Sequence, residues 1–351
     1  MKKLLLTSAL AGATLVASNA IAQTTVSGNL DISFKALSDQ TATTGAALSR
    51  QGFGKEAQIN IQTKGKLNNG MDYAAGFSLE DDGNASSSAT GTAFNENTFI
   101  DFIAGNTTLT IGNDHIQGYD RTLGYAVGLA AHDIDDGITS GAFIGGGAVN
   151  PSVAFGVGLA QKTPVGTLAA WYTPNNNKDG VVGGDATVAD SADESAYELS
   201  FVGDLGIKGL STHAFINKEN KIGGDTRDTK GLNLGASYNF GAVTAGINHK
   251  KDERGTVGAS TAFATANTTE QMDYGLAYAV SPNLTISANY SKAELKDHTS
   301  GTPADAKSKS IAVGYNLGAV ALTAIAAKQE DYTHVSGVDL DVLYLRASTK
   351  F

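Results

Sequence analysis

Between Val26 and Lys35 the chain alternates between apolar and polar residues at almost every step. Val26, Leu30, Ile32 and Phe34 fall on one side of an extended chain, and Ser27, Asn29, Asp31, Ser33 and Lys35 on the other. Successive side chains of a strand point to opposite faces, so a period of two predicts an amphipathic β-strand. The pattern returns along the chain. Ala57, Ile59 and Ile61 oppose Gln58, Asn60 and Gln62, and Leu284, Ile286, Ala288 and Tyr290 oppose Thr285, Ser287 and Asn289. Leu343, Leu345, Ala347, Thr349 and Phe351 likewise oppose Tyr344, Arg346, Ser348 and Lys350. Such segments predict an all-β protein whose strands separate two different media.

The connections alternate as well. Short turns are expected near 65–70, 105–107, 163–166, 204–209, 240–242, 281–283 and 317–319. Longer polar stretches are expected near 38–54, 81–95, 113–150, 174–194, 219–229, 252–268, 295–307 and 331–338. Seven short turns and eight long loops join about sixteen antiparallel strands in hairpins. Pro164 and Pro282 sit in turns, Pro174 and Pro303 in loops, and Pro151 at a strand start, where no ladder donor is needed. Tyr238-Asn-Phe-Gly-Ala-Val243 echoes Tyr315-Asn-Leu-Gly-Ala-Val320, each with a Tyr before a Gly turn. Tyr73, Phe102, Phe201, Tyr238, Phe240, Tyr278 and Tyr315 gather near the short turns, as an aromatic girdle at a bilayer interface would. Thr98 to Ala104 and Leu168 to Tyr172 are apolar on both faces. They are read as packing against a subunit partner on one side and an inserted loop on the other.

The first residues read as a secretory signal. Lys2 and Lys3 supply a positive start, Leu4 to Val16 is mostly apolar, and Ala20-Ile21-Ala22 is a small-x-small cleavage site. Residues 1–22 are set aside as the signal, and 23–351 as the barrel. There is no cysteine, so neither a disulfide nor a thiolate metal site is available. After residue 22 no run of 18 apolar residues exists, so no membrane-spanning helix is expected. A mean hydropathy of −0.11 is compatible with a membrane barrel, because lipid-facing and water-facing residues average out. The formal charge is −10, and losing Lys2 and Lys3 takes it to −12. That balance argues against a nucleic-acid partner.

In hydrocarbon every backbone N–H and C=O must be paired, so such a sheet must close on itself. About sixteen strands leave a lumen too wide for side chains to fill, which is an aqueous channel. The opening strand Gln23-Thr-Thr-Val-Ser-Gly-Asn-Leu-Asp31, the signal and the last strand ending in Phe351 resemble the general-diffusion porins of Gram-negative bacteria. The resemblance implies a transmembrane antiparallel β-barrel in the outer membrane, with short periplasmic turns and long extracellular loops. It implies passive diffusion of ions and small hydrophilic solutes, and a homotrimer surrounded by outer-membrane lipid and lipopolysaccharide. It also implies that Leu343, Leu345 and Phe351 carry the signal read by the outer-membrane insertion machinery.

The third long loop, 113–150, is the longest at 38 residues. It holds Asp114-His115, Asp120-Arg121, the apolar run Leu123 to Ala131, and Asp133, Asp135 and Asp136. Long loops of this kind are functional or disordered, and the apolar run argues against disorder. By the same resemblance this loop folds into the barrel and narrows it. Asp114, Asp120, Asp133, Asp135 and Asp136 would form the acidic side of that constriction. Lys35 and Arg346 would face them from the lumen side of the two closing strands. Opposed charges across a narrow passage make a strong transverse field. Arginine is scarce, so no dense basic ladder is expected. The acidic balance predicts a mild cation preference.

Several chemistries are missing. There is no Gly-x-Ser-x-Gly, and Gly54-Lys55 and Gly65-Lys66 are followed by Glu and Leu, not by a P-loop Ser or Thr. The six His are scattered without a His-Glu-x-x-His. Asp133-x-Asp135-x-Gly137 lacks the Gly and Glu positions of a calcium loop. No enzyme activity, metal or cofactor is therefore assigned. Two other readings stay open. One is a substrate-selective porin, with Tyr119, Tyr125 and Phe143 stacking a sugar. The other is a secreted β-rich surface adhesin, which leaves the alternating connections unexplained.

Overall fold

The computed structural model describes residues 23–39, 50–81, 94–113, 155–174, 195–220, 228–253, 268–296 and 302–351. They form sixteen strands in one closed barrel. The first eight are β1 (Gln23–Asp39), β2 (Arg50–Lys66), β3 (Asp72–Asp81), β4 (Phe94–Ala104), β5 (Thr107–Gly112), β6 (Gly156–Thr163), β7 (Gly166–Thr173) and β8 (Ala196–Gly203). The others are β9 (Leu210–Glu219), β10 (Thr229–Asn239), β11 (Val243–Glu253), β12 (Thr268–Ser281), β13 (Leu284–Lys296), β14 (Ala306–Asn316), β15 (Val320–Glu330) and β16 (Leu340–Lys350). Each strand pairs antiparallel with its sequence neighbours, and β16 returns to β1 in the register Asn29 to Lys350 through Asp39 to Leu340. The expected sixteen-strand barrel is the observed one. The short connections fall at 67–71, 105–106, 164–165, 204–209, 240–242, 282–283 and 317–319, where the sequence places them.

The repeated Asn-x-Gly-Ala-Val motif is a repeated turn. Asn239 Oδ1 accepts the Gly241 N–H at 2.8 Å, and Asn316 Oδ1 accepts that of Gly318 at 2.7 Å. Gly241 and Gly318 have φ of 99° and 91°, a conformation that glycine adopts without a Cβ penalty.

The barrel is polar inside and apolar outside. Along β14, Ser308, Ser310 and Ala312 are buried, while Ile311 is 62% exposed. Along β8, Glu198 and Ser200 are buried and Leu199 is 59% exposed. An exposed apolar face is costly in water and favourable in hydrocarbon, and a closed sheet leaves no unpaired edge there. The seven turn-proximal aromatics occupy outward positions at the short-turn end; Phe240 is 68% exposed. No described helix is long and apolar enough to span a bilayer.

The segments apolar on both faces divide as their parity requires. Phe99 and Trp171 point inward and are buried, while Ile100, Leu168 and Tyr172 are exposed on the outer face. Trp171 needs room on β6. A Cβ at Gly158 would lie 2.3 Å from its ring and one at Gly156 2.7 Å from Nε1, so both positions admit only glycine without a shift. The indole N–H donates to Thr173 Oγ1 at 2.9 Å.

Closure extends past β16. Phe351 and Gly28 exchange both backbone hydrogen bonds, at 2.7 and 2.9 Å. The Phe351 ring covers Gly28, where a Cβ would come within 2.5 Å of Cζ. Gly28→Leu should therefore push the ring off the seam and cost about 1–3 kcal/mol of barrel stability. The temperature at which the folded band in unheated gels converts to the unfolded one should fall, and an unchanged temperature would refute the contact.

Candidate functional site

The inner face of the seam joins β1, β2 and β16. Register and parity put Asp31, Ser33 and Lys35 on it with Glu56, Tyr344 and Arg346. Lys35 and Arg346 thus lie on the luminal side, as the alternation requires. Lys35 is fully buried opposite Tyr344. The Arg346 guanidinium donates to Asp31 Oδ2 from one register step away. The two cations therefore do not stand alone, because Asp31 neutralises Arg346 and Glu56 lies opposite Asp31. Asp114, Asp120, Asp133, Asp135, Asp136, Tyr119, Tyr125 and Phe143 lie outside the described residues. Leu343 and Leu345 are on the outer face, 44% and 42% exposed, in line with Phe351.

A second luminal cluster was not singled out from the sequence. One register row runs His213, Gly235, Asn248, Asp273, Ser291, Ser308 and Gln329 across β9 to β15. His213 Nε2 lies 3.0 Å from Asn248 Oδ1 and 3.2 Å from Asn233 Oδ1. Both are amide oxygens, so Nε2 is the protonated nitrogen in this arrangement. Asn248 Nδ2 donates to Asp273 Oδ2 at 3.2 Å, and Gln271 Nε2 donates to Asp273 Oδ1 at 2.6 Å. The imidazole sits where Gly235 leaves space, since a Cβ there would be 2.1 Å from His213 Cε1. Further along the row the buried Gln329 amide and Ser308 hydroxyl have no hydrogen-bond partner. The alternation showed each residue's side of its strand. The register that aligns seven strands is a property of the closed sheet.

The buried charged residues of the described inner wall are Asp31, Asp101, Glu198, Asp252 and Asp273 against Lys35. Asp101 accepts a hydrogen bond from Thr110 Oγ1 at 2.6 Å. Among the described residues no group of His, Cys, Asp and Glu is arranged to hold a metal ion.

At the long-loop end, residues 331–339 join β15 to β16. Asp331 Oδ1 accepts the Gly337 N–H at 2.7 Å, and Asp339 Oδ1 accepts that of Asp331 at 3.2 Å. The turn clasps the neighbouring connection. Ala304 N–H donates to the His334 carbonyl at 2.9 Å, and His334 Nδ1 donates to the Ala304 carbonyl at 3.0 Å. Burial holds the His334 imidazole below its ordinary pKa, against the opposing pull of the Ala304 bond and Asp305.

A family model described as Gram-negative porin matches residues 7–334. No curated protein sequence matches the chain. Among solved structures, the anion-selective porin from Comamonas acidovorans is 15% identical with a TM-score of 0.69, covering 94% of this chain and 100% of that one. A loop-deletion mutant of OmpT, an outer membrane protein of Vibrio cholerae, is 12% identical with a TM-score of 0.66, covering 94% and 99%. A mutant of the Rhodopseudomonas blastica porin is 16% identical with a TM-score of 0.61, covering 94% and 100%. At these identities the likeness is one of fold.

The clasp at His334 carries a pH prediction. A lowered folded-state pKa means that the neutral imidazole is the form the fold favours. The stabilisation is full above the ordinary value and is lost as pH falls through the lowered one. Amide exchange at Ala304 should thus accelerate in acid beyond the intrinsic trend, and His334→Gln should remove that excess. Equal protection of Ala304 at neutral and acid pH, after correction for intrinsic rates, would refute the clasp.

Proposed function

The chain belongs to the Gram-negative porin family, and from that premise we propose that it passes ions and small hydrophilic solutes by diffusion, with a weak preference for cations. It is an outer-membrane porin. One observation carries the diffusion reading: a closed sixteen-strand wall that is polar on its inner face and apolar on its exposed outer face. A lumen of that strand number is wide enough for water. Solutes then cross according to size and field rather than through a reaction.

The cation preference is supported by five buried carboxylates on the inner wall, which face Lys35, Lys250 and Arg346 on the same side of the sheet. Asp31, Asp101, Glu198, Asp252 and Asp273 raise the local cation concentration along the path. The third long loop is proposed to narrow the lumen, with Asp114, Asp120, Asp133, Asp135 and Asp136 facing Lys35 and Arg346 across it. A homotrimer is supported by the outer face of β5–β8, whose strands run 6 to 8 residues and carry no outward charge. Elsewhere the outer face would meet outer-membrane lipid and lipopolysaccharide. The outward line of Leu343, Leu345 and Phe351 supports a role in recognition by the insertion machinery.

One observation favours substrate selectivity as a second reading. The row from His213 to Gln329 presents amides, hydroxyls and a carboxylate on one inner wall. Such groups pair with the hydroxyls of a sugar. Saturable block of ion current by a sugar would favour this reading over simple diffusion.

Planar-bilayer recording tests the main reading. Stepwise currents should scale with bulk conductivity. Deleting 123–136 should raise single-channel conductance, and an unchanged value would refute the constriction. The reversal potential in a salt gradient should lie on the cation side. Asp31→Asn, which removes the counter-charge of Arg346, should move it toward chloride, whereas Arg346→Gln should move it the other way. A chloride-selective unaltered channel would overturn the charge reading.

A further inference from the structure

The inner face changes sign along its length, and neither diffusion nor barrel closure requires it to. Parity and register place Lys64, Lys66 and Asp72 on the inner side of β2 and β3, Lys162 on that of β6 and Lys350 on that of β16. All five are exposed and lie within two residues of the short-turn end of their strands. Asp72 pairs with Lys66 at 2.6 Å. In the turn at 204–209 Asp204 and Lys208 offset each other, and the other short connections carry no charged residue. Four lysines against one aspartate thus leave an excess of three positive charges on the inner face of this mouth.

The sign turns over further in. Arg346 and Asp101, four and three residues from the ends of β16 and β4, add one charge of each kind. Beyond them the described inner face carries Asp31, Glu56, Glu198, Glu219, Asp252 and Asp273 against Lys35 and Lys250. Six carboxylates against two lysines leave an excess of four negative charges there. A wall charge is felt over about 10 Å in 0.1 M salt. Anions therefore collect at the basic mouth and cations in the acidic stretch beyond it.

We propose that the pore rectifies, passing more current when its short-turn side is negative than when it is positive. This rests on the chain forming an open diffusion pore. With the short-turn side negative, the field drives cations from the acidic stretch and anions from the basic mouth toward the boundary between them. Both accumulate there, and the passage conducts well. With the field reversed both are drawn away from the boundary, and the passage is depleted of carriers. Cation preference reports the balance of the lumen charges, whereas rectification reports their order along the axis, so either can hold without the other.

The test is the current–voltage curve of single channels in potassium chloride at equal concentration on both sides. The chain has no cysteine, so Asn69→Cys in the 67–71 turn supplies a single thiol. Biotin on that thiol, with streptavidin added to one bath, reports which way the short turns face. In about 0.1 M salt and at about 100 mV, current with the short-turn side negative should be about twice the opposite one. In about 1 M salt, where the Debye length is about 3 Å, the two should be equal. Lys64→Gln/Lys162→Gln/Lys350→Gln should abolish the asymmetry. Lys64→Gln/Lys162→Gln, which leaves the terminal strand intact, should remove about half of the excess. Lys64→Cys should lose part of it, and an aminoethyl group attached to that thiol, which restores the positive charge, should bring it back. A symmetric curve from the unaltered protein in dilute salt, an asymmetry of opposite sign, or one that both lysine variants leave unchanged overturns the proposal. A symmetric curve whose reversal potential lies on the cation side removes the rectification and leaves the diffusion pore standing. Absence of current from folded protein removes the pore and the rectification with it.

Discussion

The structure depends on one constraint, that a peptide group in hydrocarbon has no water to bond. Every N–H and C=O at that depth must find a partner within the sheet. Hairpins satisfy all strands but the first and last. Those two must meet, and their meeting spans nearly the whole chain: the Asp31 to Arg346 contact joins residues 315 apart. The seam is built accordingly. β1 pairs with β2 from Gln23 and with β16 from Asn29. Phe351 and Gly28 then carry the ladder one step beyond the last strand. Contacts of such separation bear the largest loop-closure entropy of any in the sheet.

The same constraint fixes which side chain meets which solvent. A register slip of one residue would turn Asp31, Ser33 and Lys35 into the bilayer and Ile32 into the lumen. At the seam the ion pair of Arg346 with Asp31 works against such a slip. In the observed register the pair forms with Ser33 opposite Arg346 on the inner face, and a one-residue slip would put Arg346 on the other side of the sheet. Burying an isolated charge is costly, so an unpaired Arg346 would penalise other registers. On the outer face the ring of Phe351 does similar work through shape, because it needs the bare Cα of Gly28 beneath it.

Much of this was legible in the sequence because a strand's period is local. The sides of Leu30, Ile32, Lys35 and Arg346 follow from parity alone, and the turns at Gly241 and Gly318 follow from Asn and Gly two residues apart. The count of sixteen strands followed from alternating short and long connections. What was not legible depends on how strands align. Neither the spacing of His213, Asn233 and Asn248 nor that of Lys309 and Lys328 marks them as neighbours. Their contacts are set by pairing offsets summed from hairpin to hairpin. The packing of Trp171 on Gly156 and Gly158 is the intermediate case. Gly-Val-Gly in a strand signals a close approach, but it does not name the side chain that approaches.

The distribution of charge over the two faces also changes what the net charge means. The formal value of −10 is a sum over surfaces that do not share a solvent. Lys292, Lys307, Lys309 and Lys328 point outward at the rim, on the far side of the sheet from the lumen. Exposed charges beyond a Debye length are screened, so these lysines add little to the field along an ion's path. Five carboxylates and one lysine are fully buried on the described inner wall, and Arg346 and Lys250 share that face. Charges on the inner wall act on an ion at shorter range than those on the outer face, so each counts for more. Moving one lysine from the outer face to the inner one would alter ion flow without changing the composition at all.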